Sequence, residues 1–118
     1  SAYNLVANGK YDLYLSLWLN DYADPMSELE TQELNNSHNF GKYTSKNFNK
    51  QLSLAKSKNA TSQKAYFKNL LNAQKQLSHD NPVIPLCTEV EDHLVNSKLR
   101  GVLWNTTGTA DYTRAYFK

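Results

Sequence analysis

Cysteine is almost missing from this chain: Cys87 stands alone among 118 residues, so no disulfide can close within it and the redox compartment stays open. Set between Leu86 and Thr88 in a strand-like run, that thiol is expected to be buried and inert. Long apolar runs are missing too. The longest, such as Tyr14 to Leu19, fall far short of the roughly 20 residues a membrane-spanning helix needs. There is no block of one charge either. The formal net charge is +2 and the pI about 8.6, but Lys and Arg are scattered, which argues against a nucleic-acid partner. The start, Ser1-Ala2-Tyr3-Asn4, lacks an initiator Met, a basic segment and an apolar stretch. No secretory signal is expected there, and the chain should begin inside a longer product or after processing.

The signatures of catalysis are equally scarce. No Gly-x-Ser-x-Gly elbow exists. Gly41-Lys42 is followed by Tyr43 and has Asn36 where a phosphate loop needs glycine. Cys87, Glu89, Glu91, Asp92 and His93 meet none of the zinc spacings, and strand alternation would split them between two faces. Asp21 and Asp24 form a carboxylate pair, but a turn between them leaves no defined separation for acid-base work. His38 and His79 sit in polar turns, where solvation is expected. The sequons at Asn35, Asn59 and Asn105 follow from an Asn-rich composition. The chain is therefore read as non-enzymatic, with no metal and no cofactor.

What is present describes a folded chain, with 40% hydrophobic and 20% charged residues, in the range of soluble globular domains. Its length suits one small core. Residues 10–18 alternate as a strand, with Tyr11, Leu13, Leu15 and Leu17 on one face and Tyr14 and Trp18 on the other. Asn20 to Pro25 is turn-forming, and Asp24 is expected to cap a helix from about Met26 to Asn35, with Pro25 in its first turn. Residues 35–44 read as a surface loop. Ser45 should cap a helix carrying Phe48, Leu52 and Ala55, ended by Asn59. A longer helix from Ser62 to about Ser78 carries a stripe of Phe67, Leu70, Leu71 and Leu77 interrupted by Gln74. The two helices should form an antiparallel pair.

Asp80-Asn81-Pro82 should stop the long helix. Val83 to Val90 then reads as a strand in which Pro85 marks an edge. Shorter strand candidates are Leu94-Val95, Gly101 to Trp104 and Tyr112 to Phe117. The order favours an α/β unit cut from something larger.

Several of these stretches, read in order, resemble one family. Lys10-Tyr11-Asp12-Leu13 followed by Trp18-Leu19-Asn20-Asp21-Tyr22-Ala23-Asp24-Pro25 is similar to a strand ending in Trp and then Asp-Tyr-x-Asp-Pro in the oligopeptide-binding solute receptors of ABC importers, solute-binding protein family 5. Asn35-Asn36, Tyr43, Phe48 and Leu52 match that family's Asn-Asn, Tyr and Phe-Asp-Lys-Leu pattern, with Asn49 in place of the aspartate. Pro82-Val83-Ile84-Pro85-Leu86 resembles its Pro-Val-Ile-Pro-Leu strand. Leu94-Val95, Leu99 to Val102 and Asp111 to Tyr116 resemble its tail.

The resemblance implies the C-terminal part of a two-lobed, periplasmic-binding-protein-like (type II) fold. Residues 1–90 would then belong to the second lobe, while 91–118 would cross the hinge and complete the first. It implies a ligand site at Asp21, holding a peptide's amino group, with Trp18 on the cleft wall beside it and the neighbouring Asn20 and Tyr22 as candidates; by residue type Tyr14, Tyr22 and Tyr43 could line a cleft or be half-buried tyrosines with wet hydroxyls. It also implies an oligopeptide ligand, ABC permease partners, and a place on the extracellular face of the membrane or in the periplasm. Any lipid anchor would lie outside this segment. The residues alone leave two other readings open. One is a different solute on the same architecture, such as nickel, a sugar or a peptide pheromone. The other is a small interaction module with exposed strand edges. They equally allow Asp21 and Asp24 to be turn caps and Trp18 to be core.

Overall fold

Three side chains set where the helices begin. In the computed structural model, which describes residues 1–118, the Asp24 carboxylate accepts from the Met26 amide at 2.8 Å, while the Ser45 and Ser62 hydroxyls accept from the Phe48 and Ala65 amides. Each satisfies an amide that the first helical turn leaves without a partner. After a short α1 (Ala2–Ala7), which the sequence reading did not anticipate, come α2 (Pro25–Leu29), a 3-10 turn (Glu30–Gln32), α3 (Lys46–Lys56) and α4 (Gln63–Asp80). α2 is shorter than the expected Met26–Asn35 helix. Its last turn tightens to 3-10, Glu33 is extended, and Asn35 takes a left-handed φ of 70°. The Leu34 amide donates to Asn49 instead of continuing a helix.

α3 and α4 form the expected antiparallel pair. Asn47 near the start of α3 bonds Gln76 near the end of α4, and Gln51 bonds Asn69. The buried Asn69 side chain is satisfied on both sides, by Gln51 and by Asn59 in the connecting turn. Phe48, Leu52 and Ala55 point into the core as expected, joined by Met26 and Leu29 from α2 and by Leu70 and Ala73 from α4. The buried face of α4 is rotated from the stripe read in the sequence. It runs through Tyr66, Leu70, Ala73 and Leu77, a spacing of 4, 3 and 4 that leaves Gln74 off the face. Phe67 and Leu71 are exposed, because α3 covers only one flank of α4.

Asn81 closes α4 at φ 51°, the left-handed cap that asparagine tolerates. Just before it, Asp80 accepts from the Tyr43 hydroxyl at 2.6 Å and from Gln76, with His79 Nδ1 2.9 Å away. A carboxylate is unfavourable at a helix C-terminus, yet these bonds, first from His79 and then from Tyr43 and Gln76, pull its pKa down to about 2. Because the folded value lies below the unfolded one, the stabilisation is complete above about pH 4 and lost as pH falls through the folded value. An NMR titration of the Asp80 carboxyl should show this low midpoint, and Asp80→Asn should remove the acid sensitivity of the Tyr43 contact. A midpoint near the ordinary aspartate value would show that the bonds do not hold the carboxylate.

Residues 98–118 form an interrupted antiparallel hairpin. β1 (Leu99–Arg100) pairs with β4 (Tyr116–Phe117) in the register Leu99 to Phe117, and β2 (Leu103–Trp104) pairs with β3 (Ala110–Asp111) in the register Trp104 to Ala110. The Asn105 side chain closes the end loop by accepting from the Thr107 and Thr109 amides. Between the pairs, Gly101 sits at φ 76°, and a Cβ there would overlap the Arg114 carbonyl. Gly101→Ala is therefore expected to open the hairpin at its waist. Loss of the NMR contacts between Leu99 and Phe117 would register it; unchanged contacts would contradict it.

The two longest expected strands are not paired. Residues 11–20 and 82–95 make no backbone hydrogen bond within the chain, since no other segment lies alongside to complete a ladder. Their apolar side chains are accordingly open: Leu13 is 90% exposed and Val90 82%. Cys87 is exposed, correcting the expectation of burial, and for the same reason. Leu94-Val95 likewise forms no strand. Only 12 of 118 residues are buried, and the radius of gyration is 18.1 Å, against about 13–14 Å for a compact domain of this length. The accessible surface of 9402 Å² is also well above the roughly 6,500 Å² typical of a folded monomer of this mass.

Candidate functional site

The turn from Asp21 to Asp24 is fastened at both ends. At one end, the Asp21 amide donates to the Ser27 hydroxyl at 2.9 Å, and Ser27 is 1% exposed. At the other, the Asp24 carboxylate caps α2 and also accepts from the Tyr66 hydroxyl of α4 at 2.7 Å. Between them, the Tyr22 hydroxyl donates to Glu30 at 2.7 Å. Glu30 is in turn paired with Lys56 at 3.2 Å, and Lys56 with Glu33 at 2.7 Å. The turn is thus tied to α2, the 3-10 segment, α3 and α4.

The electrostatics follow these bonds. Partial burial and the bond to Glu30 push the Tyr22 hydroxyl well above its ordinary pKa. Partial burial and the bond to Asp24 push Tyr66 up to about 12. Both stay protonated donors at neutral pH. Partial burial disfavours the Lys56 charge, but the bonds to Glu33 and Glu30 outweigh it and raise its pKa.

Asp21 is the exception in this network. Its backbone is held, but its carboxylate is exposed and makes no hydrogen bond or ion pair with any residue of the chain. Asp21 and Asp24, alike in sequence as turn aspartates, are therefore different in structure. Asp24 is committed to a cap and to Tyr66, whereas Asp21 presents a free anion on a fixed backbone.

Trp18 lies outside the core, at 36% exposure, with its ring 4.7 Å from the His38 ring. His38, expected to be solvated, is exposed but stacked edge-on against this tryptophan. Tyr14 and Phe40 continue the aromatic surface, with ring centroids 6.3 Å apart. Tyr22 keeps an exposed ring but has its hydroxyl occupied by Glu30. Asn20 is exposed, with no side-chain hydrogen bond in the chain. Tyr43 is separated from this group: it packs on Phe48 at 5.4 Å and bonds Asp80.

The sequence reading missed the residues that organise the site from behind. Ser27 lies inside the expected helix with no local signal of its own, and Tyr66 is 42 positions from Asp24. Asn39, inside an apparent surface loop, is 5% exposed and folds that loop by bonding Glu33, and both the amide and carbonyl of Tyr43. Two surface depressions lie away from Asp21. One, of about 500 Å³, runs between α3 and α4 and is lined by polar side chains including Asn47, Lys75 and His79. The other lies where His93 stacks on Trp104.

No protein-family model matches the sequence. The chain is 30% identical over 102 residues to the dipeptide-binding protein DppE of Bacillus subtilis, covering 86% of this chain and 18% of that protein. It is 29% identical over 117 residues to a dipeptide-binding protein of Lactococcus lactis subsp. cremoris, covering 98% of this chain and 21% of that one. The chain thus spans about a fifth of the length of the curated relatives it matches. A crystal structure of the peptide-binding protein of a peptide ABC transporter superposes with a TM-score of 0.65 at 34% identity, over 70% of this chain and 36% of that one. The architecture is therefore that of a mixed α/β lobe segment of a solute-binding protein. These similarities bear out the resemblance to a part of the family 5 solute-binding proteins read in the sequence. No helix is long and apolar enough to cross a membrane.

Proposed function

We propose that this segment forms one wall of the peptide cleft in a two-lobed extracellular solute-binding protein that hands oligopeptides to an ABC importer. Asp21 takes the ligand's α-ammonium by a charge-assisted hydrogen bond, which gains strength once closure of the lobes excludes water. Trp18 and the ring of Tyr22 flank that position, and Asn20 offers a free amide. The ligand's backbone is met by strand edges, which give affinity independent of its sequence. Residues 1–90 serve the second lobe, and 91–118 cross the hinge into the first. The unpaired runs 11–20 and 82–95 fit this arrangement, because strands of a larger sheet must find their partners in the rest of the protein.

The remaining parts of the proposal follow from this class of receptor. The protein works outside the cell membrane or in the periplasm, held by a lipid on another segment, and docks on the permease subunits of the transporter. It carries out no chemistry. The observation that carries the reading is the Asp21 carboxylate, unpaired in the chain on a backbone bonded to a buried serine. The names of the relatives, which are dipeptide-binding proteins, support peptide over nickel or sugar. Titration calorimetry of the full-length protein with a free-amino peptide and its N-acetylated counterpart tests it. Tighter binding of the free-amino peptide is expected, and equal affinities would overturn the role of Asp21.

A further inference from the structure

We infer that Ser27 and Tyr66 are positioning residues that aim the Asp21 carboxylate at the ligand's ammonium group, an inference that rests on the peptide-binding reading above. Neither side chain has a free group to offer the ligand. The Ser27 hydroxyl is buried and accepts from the Asp21 amide. The Tyr66 hydroxyl donates to Asp24 Oδ1, the same oxygen that accepts the Met26 amide. Together with the Ser27 amide, which bonds the Asp24 carbonyl at 3.0 Å, they bind both ends of a turn four residues long.

The geometry matters because Asp21 has no side-chain partner of its own. A carboxylate in a network is oriented by its neighbours; this one is oriented only through its Cα position and backbone angles. Those angles are set by the bond to Ser27 and by the placement of Asp24 against α4. If the turn were loose, the carboxylate would have to be ordered on binding, and that entropy would be subtracted from the affinity. A preset turn avoids the loss. Tyr66 also belongs to the buried face of α4, packed against the core. It therefore transmits the position of the α3 and α4 pair to the turn across 42 residues of sequence.

The test uses the full-length protein and reads the ratio of affinities for a free-amino peptide over its N-acetylated analogue, in wild type, Ser27→Ala, Tyr66→Phe and Asp21→Asn. Tyr66→Phe removes one oxygen and leaves the core packing, so it remains informative if Ser27→Ala fails to fold. A positioning role predicts that the ratio falls about three- to tenfold in either variant, the effect of one hydrogen bond. It further predicts no additional fall when the variant is combined with Asp21→Asn. A merely structural role would weaken both peptides equally and leave the ratio unchanged. That result, with Asp21→Asn still abolishing the ratio, overturns the positioning role and leaves the anchor intact. If Asp21→Asn itself keeps the wild-type ratio, the anchor fails and the positioning role falls with it.

Discussion

Phe48→Ala is expected to cost about 3–5 kcal/mol of stability, the range for removing a fully buried aromatic side chain. Phe48 is 0% exposed and belongs to a cluster built by three helices: Met26 and Leu29 of α2, Leu52 and Ala55 of α3, and Leu70 and Ala73 of α4. The Tyr43 ring closes over it edge-on. Few buried apolar residues hold this cluster together, so little else can fill the hole that alanine leaves. The loss is large against the roughly 5–15 kcal/mol that holds a typical domain folded. It also reaches the candidate site, since the turn carrying Asp21 is fastened to α2 and α4 and both pack on this core. Hydrogen exchange in the full-length protein should show α3 and α4 losing protection together. A destabilisation below about 1 kcal/mol would mean that the cluster is not the organising core.

Asp21→Asn is expected to weaken binding of a free-amino peptide by about 2–5 kcal/mol, the cost of removing one partner from a desolvated charge pair. This amounts to roughly thirtyfold to several thousandfold in Kd. Asparagine keeps the size and can still accept a hydrogen bond, so the loss isolates the charge. The N-acetylated peptide, which has no ammonium, should bind wild type and variant about equally. Because the carboxylate makes no bond within the chain, the variant should keep the wild-type melting temperature without ligand. An Asp24→Asn variant provides the contrast, since Asp24 caps α2 and receives Tyr66, and its substitution should lower stability first. Unchanged affinity in Asp21→Asn would sink the anchor assignment.

The helices were legible because their signals are local. Ser45 and Ser62 each stand at an N-cap, Asn81 takes the left-handed cap, and Phe48, Leu52 and Ala55 repeat at helical spacing on one face. The face of α4 was harder to read, since Phe67 and Leu71 are as apolar as Leu70 and only the position of α3 decides which are covered. Strand propensity was legible in 10–18 and 83–90, but pairing depends on neighbours that lie elsewhere. The exposure of Cys87 follows from that same dependence.

By itself the sequence determined where α3 and α4 begin, which face of α3 is buried, and the order of motifs that carries the family resemblance. Capping, periodicity and turn chemistry act within a few residues and leave their mark in composition. The cap at Asp24 was legible as well, but only the tertiary structure gave that carboxylate a distant tyrosine and left the Asp21 side chain unpaired. Tyr66, 42 residues from Asp24, decides that difference, and no local pattern encodes which carboxylate a remote hydroxyl will reach.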